Sequence, residues 1–473
     1  MTPFNINTKL FWLLVTISFF SCVYYCTYSE IKEWDESRNG VNAYEMTNNK
    51  NYIVPYFENQ IDTWNAKPPL FIWAIVASYK IWGYNTFALR FPSLLATIIF
   101  FIFFYRLSIY FVSSRIAIFS IIILLSSKAV LWDHIGLTGD FDSLLLATLF
   151  MFLFYLVKYS YSGNRRDLII FSSLIGIAFY TKGFAAFILL PSCLLFYIFR
   201  NKIFSITTDI NKKDLLLSVT IVSIFIASWI ILSINCIEYP ENNFYKGSNQ
   251  IETMFYHDIF NRLFNQNFDL HNKTRSWLFF FSSLDIRMNI WNYLFYLFMV
   301  LNIFKTNLPK EEKQKSLLFF SYLMIIPIAL LLTITYNQHN WYLGPIFPFV
   351  ALIISINIHQ LVLPKKAYII IFILIAFLYS RHTYELITPT KTIETSENIN
   401  NVVSGKTVFY TSLPQHYLLK LIYAGAELEK VNEENMLNNS NNSLYIVKSN
   451  VEITNRKTKD LFMFGEYIII HLN

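Results

Sequence analysis

Long apolar stretches constrain the fold of this 473-residue chain more than any other feature. Hydrophobic residues make up 55% of the sequence and charged residues only 15%, against roughly 25% in an average soluble protein. Many of the stretches are long enough to cross a bilayer core as helices, at about 1.5 Å per residue. A soluble protein of this length could not bury so many apolar helices. The sequence therefore predicts an all-α polytopic membrane protein.

We expect eleven to thirteen transmembrane helices. The predicted spans cover residues 10–29, 87–107, 115–132, 142–160, 167–182, 184–200, 214–235, 289–305, 315–336, 341–362 and 367–381. One more apolar stretch, 68–83, begins with two prolines and is interrupted by Lys80 and Gly83. It is predicted to be either a short span or a helix that lies at the interface.

The distribution of Lys and Arg indicates the orientation. If 68–83 does not cross, all the strongly basic loops lie on the side of the N-terminus, which the positive-inside rule assigns to the cytoplasm. If it crosses, the bias is reversed. We therefore predict a cytoplasmic N-terminus and an extracytoplasmic C-terminus. The formal charge of +7 is spread over short loops, which fits an anionic membrane leaflet and disfavours nucleic acid as a partner.

In this topology residues 1–381 form the transmembrane domain, with long outer loops at 30–86 and 236–288. Residues 382–473 are polar and Asn-rich, and no span is predicted in them. Strand patterns at 402–410, 443–447 and 467–471 alternate with a helical pattern at 415–424, which predicts a small, soluble, extracytoplasmic α/β domain. No nucleotide-binding glycine pattern precedes the helix, so we assign no cofactor to this domain.

The first candidate for chemistry follows the first span, where Asp35 and Glu36 precede Arg38. A carboxylate at this place can act as a general base or bind a cation, and the arginine can hold a phosphate. The alternative is a solvated loop with ordinary charges.

A second acidic pair, Asp140 and Asp142, opens the span 142–160. The helix dipole and a capping role explain one carboxylate at a helix N-terminus. They explain a second carboxylate less well, because a like charge at close range raises the pKa of a carboxyl group. The pair could bind a divalent cation or activate a hydroxyl group.

Two lysines and a histidine are further candidates. Lys67 precedes two prolines that start a helix, so it is held near the lipid headgroups, where it could bind a phosphate or simply snorkel. Lys182 lies between two apolar segments, where a charge is expensive unless it is used, and it could contact a phosphate or pyrophosphate. His257, on an amphipathic stretch, could bind a metal or carry a proton, or be an ordinary interfacial histidine.

Five short motifs occur in the order expected of one family. They are Asp35-Glu36-Ser37-Arg38, Lys67-Pro68-Pro69, Gly139-Asp140-Phe141-Asp142-Ser143-Leu144-Leu145, Thr181-Lys182-Gly183 and Trp341-Tyr342-Leu343-Gly344-Pro345. Over residues 1 to about 380 the chain resembles the C-type membrane glycosyltransferases, which use polyprenyl-phosphate sugars. It looks most like the bacterial lipid A aminoarabinose transferases, which are distant relatives of the protein O-mannosyltransferases.

The resemblance implies catalytic roles for the acidic residues. The first acidic motif of the family lies at the catalytic centre, which implicates Asp35, with Glu36 beside it. The second acidic motif corresponds to Asp140 or Asp142, and the run of Asp, a small residue and two leucines fits Asp142 better.

The resemblance also implies a donor site. The basic residues of the matching motifs, Arg38, Lys67 and Lys182, are expected to hold the donor phosphate. Aminoarabinose transferases often carry an acid just before the Lys-Pro unit, where this chain has Ala66, and that departure puts a metal site in doubt. No cofactor is expected to be required; if a divalent metal binds, His257 and Asp142 are its candidate ligands.

The implied activity is transfer of a sugar from a polyprenyl-phosphate donor to an acceptor at the outer face of the inner membrane. The acceptor is expected to be a lipid A-type or other envelope glycolipid, and a protein acceptor is the main alternative. In the implied mechanism Asp35 activates the acceptor hydroxyl, and the basic residues stabilise the departing polyprenyl phosphate. A lipid or sugar transporter or flippase is disfavoured, because the charges lie at one rim and no inverted repeat is evident.

Overall fold

The described residues between 8 and 388 form a helical bundle, and the described residues after them form a small α/β domain. The computed structural model describes residues 8–206, 211–234, 249–261, 275–361, 364–388, 399–431, 443–448, 458–464 and 466–472. The helices are α1 (Thr8–Tyr28), α2 (Asp35–Asn48), α3 (Leu70–Trp82), α4 (Thr86–Phe111), α5 (Ser114–Leu125), α6 (Phe141–Ser162), α7 (Arg165–Lys182), α8 (Leu190–Ile203), α9 (Lys212–Ile234), α10 (Phe279–Met288), α11 (Trp291–Ile303), α12 (Glu312–Ile334), α13 (Phe347–Gln360), α14 (Lys365–Ile387) and α15 (Gln415–Tyr423).

Shorter elements connect these helices. Strands β1 (Tyr56–Phe57) and β2 (Gln60–Ile61) form an antiparallel hairpin. Residues Gly183–Leu189 and Asn340–Leu343 are 3-10 helices, and the turn Gln250–Glu252 continues as a π-helix over Thr253–Asn261.

Each of the eleven predicted spans corresponds to one of these helices. Seven segments of the described chain are long and apolar enough to cross a membrane, and one of them, Arg165–Asn201, is broken at Gly183 into two helices. The shorter helices α5, α11 and α13 account for the remaining spans. The predicted all-α membrane fold is confirmed, although α5 ends at Leu125 rather than 132, and α14 continues to Ile387 rather than 381.

The ambiguous segment 68–83 forms helix α3. This helix has 13 residues, so it is about 20 Å long, which is shorter than a hydrocarbon core of about 30 Å. It begins after Pro69 and ends at Gly83, whose φ of 76° suits a glycine. One side of the helix is buried, including Phe71, Ile75 and Tyr79. The predicted topology therefore still rests on the loop charges, which gather the basic loops on one side only if this segment does not cross.

Polar contacts join the spans where α7 packs against α9. The hydroxyl groups of Ser172 and Ser218 are 2.7 Å apart, and those of Tyr180 and Ser228 are 2.6 Å apart. Such bonds between helices stabilise packing in a medium that offers little hydrophobic driving force. Only 6% of the most apolar 18-residue stretch of α9 is buried. Most of this helix therefore faces outward, as a lipid-exposed helix would.

The C-terminal segment contains the predicted α/β domain. Its five-stranded sheet has the order β4-β3-β5-β7-β6, with β3 (Thr407–Tyr410), β4 (Glu427–Lys430), β5 (Ser443–Lys448), β6 (Thr458–Phe464) and β7 (Tyr467–Leu472). Strand β3 is parallel to β4 and β5, and β7 is antiparallel to β5 and β6. The first strand begins at Thr407 rather than at the predicted 402, because Gly405, at a φ of 69°, makes a turn before it.

The domain packs on the bundle rather than standing apart from it. Leu419 of α15 is fully buried, and a Cβ atom at Gly40 of α2 would lie 2.5 Å from its side chain. The hydroxyl groups of Tyr423 and Tyr79 are 2.8 Å apart, and Lys430 forms an ion pair with Glu58 at 2.5 Å. Helix α2 therefore lies between the membrane bundle and the C-terminal domain.

Candidate active site

Two loops bring carboxylates together at one end of the bundle. Asp35 is the first residue of α2 and follows Trp34, whose φ is 67°. Asp140 is the N-cap residue of α6, and Asp142 lies in its first turn. One side-chain ligand atom each of Asp35, Asp140 and His134 lies within 4.8 Å of the other two. The structure therefore brings together two of the four predicted catalytic residues, Asp35 and Asp140, with His134 beside them.

His134 lies at the centre of this cluster. Its Nδ1 is 3.3 Å from an oxygen of Asp140 and 3.7 Å from an oxygen of Asp35, and its ring stacks on Trp341 with centroids 3.9 Å apart. Burial by itself would lower its pKa, but the carboxylates of Asp140 and Asp35 outweigh burial and raise the pKa of His134 to about 9. The imidazole is therefore a cation at neutral pH.

Asp140 is 2% exposed and accepts a hydrogen bond of 2.6 Å from the Thr138 hydroxyl. Its other oxygen, Oδ1, has no hydrogen-bond partner among the described residues. Burial raises the pKa of Asp140 to about 6, although His134 acts in the opposite direction. Asp35 is more accessible than Asp140, since the side chain of Asp35 is 34% exposed. Asp35 is thus the carboxylate of this pair that an incoming substrate can reach more easily.

An apolar cavity with a cationic rim lies beside the cluster. Its volume is about 320 Å³, and Lys67, Lys182 and Asp142 line its polar part. The apolar part includes Phe184, Phe187, Leu145, Leu331, Leu332 and Met254. A long hydrocarbon chain with an anionic end would fit this apolar lining and the two lysines.

The two lysines at this cavity are held differently. Lys182 ends α7 at the break before Gly183, and its Nζ donates to both carboxylate oxygens of Asp142 at 2.6 Å. Lys67 donates to Asn65 at 3.2 Å and lies over the ring of Phe141, 5.1 Å from the centroid. Both lysines are therefore held at the cavity by neighbouring side chains.

Arg38, a predicted phosphate contact, is not among the residues that line this cavity. Its guanidinium is 5% exposed and forms a bidentate pair with Asp62, at 2.7 and 2.8 Å. Burial by itself would raise the pKa of Asp62, but the guanidinium of Arg38 lowers it below its ordinary value. The ring of Phe57 covers the arginine at 4.0 Å. These contacts fit a structural role for Arg38, because removing one member of a buried ion pair is strongly destabilising.

Glu36, a predicted catalytic carboxylate, is also used in a buried pair. It is fully buried and accepts hydrogen bonds of 2.5 and 2.8 Å from Arg90 of α4. It also accepts from the main-chain N–H groups of Gly139 and Lys32, at 2.8 and 2.7 Å. Glu36 thereby ties the loop before Asp140 to the helix that begins at Asp35, which fits a positioning role rather than contact with substrate.

Of the two predicted metal ligands, His257 and Asp142, only Asp142 has its side chain among the described residues. The backbone of His257 lies in the π-helix Thr253–Asn261, and its side chain is outside the described residues. Asp142 is paired with Lys182 instead. Asp35, His134 and Asp140 have the donor types for a divalent cation, but only if His134 loses the proton that its carboxylate neighbours favour.

Sequence reasoning missed His134, Asp62 and Arg90. Arg90 carried a signal, because it is a charge inside the predicted span 87–107, and such residues usually have a partner. His134 lies four residues before Thr138 and was overlooked beside the acidic pair. Asp62 had no local signal, since its role depends on Arg38, 24 residues earlier.

Comparisons with known proteins agree with this geometry. The family model described as dolichyl-phosphate-mannose-protein mannosyltransferase matches residues 66–231. A relative from Wigglesworthia glossinidia brevipalpis, undecaprenyl phosphate-alpha-4-amino-4-deoxy-L-arabinose arabinosyl transferase, is 31% identical over 212 residues. That match covers 42% of this chain and only 35% of the relative.

The fold resembles that of solved membrane enzymes over nearly its whole length. ArnT from Cupriavidus metallidurans, bound to undecaprenyl phosphate or in the apo state, superposes with a TM-score of 0.73 at 12% identity, covering 98% of both chains. The Archaeoglobus fulgidus oligosaccharyltransferase in complex with Zn and sulfate has a TM-score of 0.50 at 12% identity, covering 89% of this chain and 62% of that one. The resemblance predicted from the sequence is thus confirmed: the chain has the fold of the C-type membrane glycosyltransferases.

Proposed function

We propose that this chain is an integral membrane glycosyltransferase that moves a sugar from a polyprenyl-phosphate donor to an envelope glycolipid at the outer face of the inner membrane. The observation that carries the proposal is an apolar cavity lined by Lys67, Lys182 and Asp142, two residues along the chain from Asp140, which meets Asp35. A lipid phosphate and a deprotonating group are the two requirements of such a transfer, and this end of the bundle supplies both.

The donor would bind in the apolar cavity. The polyprenyl chain would lie along Phe184, Phe187 and Leu332, and the phosphate would meet Lys67 and Lys182 at the polar part. The name of the Wigglesworthia relative supports a sugar carried on undecaprenyl phosphate. Asp142 would hold the Lys182 ammonium in place, since it already binds this group through both oxygens.

The reaction would be a direct displacement at the anomeric carbon of the sugar. The acceptor oxygen attacks this carbon, its proton passes to Asp35, and the bond from carbon to the phosphate oxygen breaks. The electron pair of that bond stays on the polyprenyl phosphate, whose charge Lys67 and Lys182 stabilise. The pair of His134 and Asp140 would position the carboxylate of Asp35. We assign no step to a metal or another cofactor.

A protein acceptor is the second candidate. It is supported by the family model that matches residues 66–231, because that family is described as transferring mannose to proteins. A comparison of cells with and without the gene separates the two, since a sugar would be missing from glycolipids in one case and from glycoproteins in the other. Mass spectrometry of both fractions provides the measurement.

The test of the whole proposal is complementation of the deletion with Asp35→Asn. We expect this variant to reach wild-type protein levels and to lose the transfer by about a hundredfold or more, as for removal of a general base. Glu312→Gln, at a side chain that is 84% exposed in another part of the bundle, is the matched control and should restore the sugar fully. Full restoration of the sugar by Asp35→Asn would refute the catalytic assignment.

A further inference from the structure

Helix α15 of the C-terminal domain lies against α2, the helix that begins with the candidate general base. Gln415, Leu419 and Tyr423 are four residues apart, so they share one face of α15. Leu419 packs against Gly40 of α2, and the Tyr423 hydroxyl is 2.8 Å from that of Tyr79 in α3. Gln415 is the first residue of α15. The face that docks the domain therefore also carries Gln415 toward the bundle.

The side-chain amide of Gln415 bridges two groups at the start of α2. Its nitrogen donates to the main-chain oxygen of Trp34 at 2.9 Å, and its oxygen accepts from Nη1 of Arg38 at 2.8 Å. These partners assign the orientation of the amide, because the reverse one would set its oxygen against the carbonyl and its nitrogen against the guanidinium. One side chain of the C-terminal domain thus holds both a carbonyl and a guanidinium of this segment.

Arg38 gives the amide a fixed support. Its Nε and Nη2 bind the two carboxylate oxygens of Asp62 at 2.7 and 2.8 Å, and the residue is 5% exposed. Nη1 is the nitrogen that remains for Gln415. Because the guanidinium is planar and rigid, its pairing with Asp62 also sets the direction of Nη1. The amide oxygen of Gln415 is therefore held at a defined place.

Trp34 has a backbone conformation that its surroundings must enforce. Its φ is 67° and its ψ is −108°, a combination that a non-glycine residue keeps only where neighbouring contacts hold it. Its oxygen also accepts from the N–H of Arg38 at 2.9 Å and from the Ser37 hydroxyl at 3.2 Å. Those two donors belong to α2 and would move with it. Gln415 comes from another domain, so its bond fixes the carbonyl relative to the rest of the molecule.

The position of this carbonyl bears directly on Asp35, the next residue. The peptide unit between them is planar, so the Trp34 carbonyl sets the direction in which the chain enters Asp35. The carboxylate of Asp35 is 3.7 Å from Nδ1 of His134, which is longer than a hydrogen bond. The orientation of Asp35 therefore depends strongly on its backbone.

From these contacts we infer that Gln415 is a positioning residue for Asp35, and that the C-terminal domain completes the catalytic centre through it. The inference rests on the proposed function for the role of Asp35, and it deepens that function by giving the C-terminal domain a part in the reaction. Gln415 contacts neither donor nor acceptor in this scheme. Its loss should lower the rate of transfer and leave the affinity for the donor lipid unchanged.

Two substitutions separate the two hydrogen bonds of the amide. Gln415→Met keeps the length of the side chain and loses both bonds. Gln415→Glu keeps an oxygen for Arg38, but a carboxylate beside a guanidinium has no proton to donate to Trp34. Both variants should disturb Asp35 if the bond to Trp34 positions it, whereas Gln415→Glu should behave as the wild type if the contact with Arg38 is what matters. Gln60→Met, at an exposed glutamine of β2, is the matched control.

The placement of Asp35 can be measured without any turnover. The purified full chain is treated with a water-soluble carbodiimide and glycine ethyl ester, and labelling of each carboxylate is quantified by mass spectrometry. Glu312, whose side chain is 84% exposed, is the internal reference. We expect both Gln415 variants to label Asp35 about threefold faster or more, because a segment that loses an anchor opens more often. Labelling of Glu312, and all labelling of Gln60→Met, should match the wild type.

Transfer in the complemented deletion strain is the second measurement. Both Gln415 variants should slow it about ten- to a hundredfold, since a catalytic group displaced by about 1 Å can cost up to about a hundredfold in rate. Binding of undecaprenyl phosphate to the purified variants should equal that of the wild type. Limited proteolysis after residue 388 should also be unchanged, because Leu419 still docks the domain.

Each contrary result has a definite meaning. Wild-type labelling of Asp35 in Gln415→Met, or wild-type labelling and transfer in Gln415→Glu, would overturn the inference. Faster proteolysis of both variants would overturn it as well, because Gln415 would then only dock the domain. Gln415→Glu provides the test alone if Gln415→Met does not fold. Labelling of Asp35 that depends on Gln415, in a wild-type chain that transfers no sugar, would keep the positioning contact and remove the proposed function instead.

Discussion

Charged residues of the same type have very different surroundings at this end of the bundle. Asp35 is partly exposed beside His134, whereas Glu36, the next residue, is fully buried against Arg90. A carboxylate in a saturated buried network cannot accept a proton from a substrate that never reaches it. Exposure and pairing therefore separate the residues suited to chemistry from those that hold the backbone.

Two loops near the site carry a non-glycine residue in the left-handed region. Trp34, which precedes Asp35, and His134 both have a φ of 67°. Such conformations cost about 1–3 kcal/mol each and persist where the surroundings enforce them. Here the enforcing contacts include the stack of His134 on Trp341 and the hydrogen bond from the main-chain N–H of His134 to Thr138, at 2.8 Å.

His134→Gln should change the pH dependence of stability. The pKa of His134 is raised from 6.5 to about 9 in the folded state, so its contribution to stability is fully present below pH 6.5 and is lost as the pH rises through 9. The difference in melting temperature between the wild type and the variant should therefore shrink between pH 6.5 and pH 10. Thermal unfolding in detergent at several pH values measures it. A difference that stays constant over this range would contradict a charged His134.

Lys67→Ala should weaken donor binding more than it slows the chemical step. Loss of a charged contact to a phosphate costs about 1.5–3 kcal/mol, which corresponds to roughly ten- to a hundredfold in affinity. Binding of undecaprenyl phosphate to the purified protein measures the effect. Lys80→Ala, an exposed lysine at the end of the neighbouring helix α3, is the matched control. Equal affinity of Lys67→Ala and Lys80→Ala would remove Lys67 from the donor site.

At the scale of elements, helix α2 contacts α4, the hairpin of β1 and β2, and the C-terminal domain. Buried pairs tie it to α4 through Glu36 and Arg90, and to the hairpin of β1 and β2 through Arg38 and Asp62. On its other side, Leu419 of α15 packs against Gly40. The orientation of Asp35 at its N-terminus thus depends on contacts along the whole helix.

Glu36→Gln should destabilise the fold, in contrast to Asp35→Asn. It leaves the fully buried guanidinium of Arg90 without its counter-ion, and breaking a buried pair in this way costs about 3–5 kcal/mol. We expect a melting temperature several degrees below that of the wild type, together with a lower yield. Asp35→Asn, measured in parallel, should melt close to the wild type. A stable but inactive Glu36→Gln protein would restore the catalytic role predicted for Glu36.

Leu419→Ala should loosen the C-terminal domain from the bundle. The side chain is fully buried against α2, and truncation of a buried leucine costs about 2–5 kcal/mol. We expect faster cleavage of residues after 388 in limited proteolysis and a decrease in transfer, because α2 loses its support. Glu429→Ala, an exposed position on β4, is the control. Unchanged proteolysis of Leu419→Ala would show that the contact does not hold the domain.

At the scale of the whole molecule, the predicted membrane topology puts the basic loops and the candidate site on opposite sides of the membrane. The bias of Lys and Arg in the loops supports the scheme in which the catalytic end faces outward and the basic loops face the cytoplasm. We expect a C-terminal alkaline phosphatase fusion to be active and a green fluorescent protein fusion at the same place to be dark when exported through the general secretion route. The opposite pair of results would place the catalytic end in the cytoplasm.

The order of the helices and the end of the bundle that carries the acids could be predicted because they depend on local composition. Apolar stretches report spans directly, and Asp35, Asp140 and Lys182 lie at their edges. The lengths of α5 and α14 were harder to predict, since hydropathy does not show where a span gives way to turns or continues beyond the apolar region. The sequence alone also overlooked His134, whose importance comes from its neighbours in space.

From the sequence by itself one could determine a multi-spanning helical fold, a C-terminal α/β domain and a set of charged residues at one rim. Only the tertiary structure decided which of those charges meet in a site and which are buried in pairs. The physical reason is that a buried charge needs a partner, and the partners of Arg38, Glu36 and Asp142 lie 24, 54 and 40 residues away. The packing of distant segments decides which charged residues are catalytic and which are structural. No local sequence pattern shows that packing.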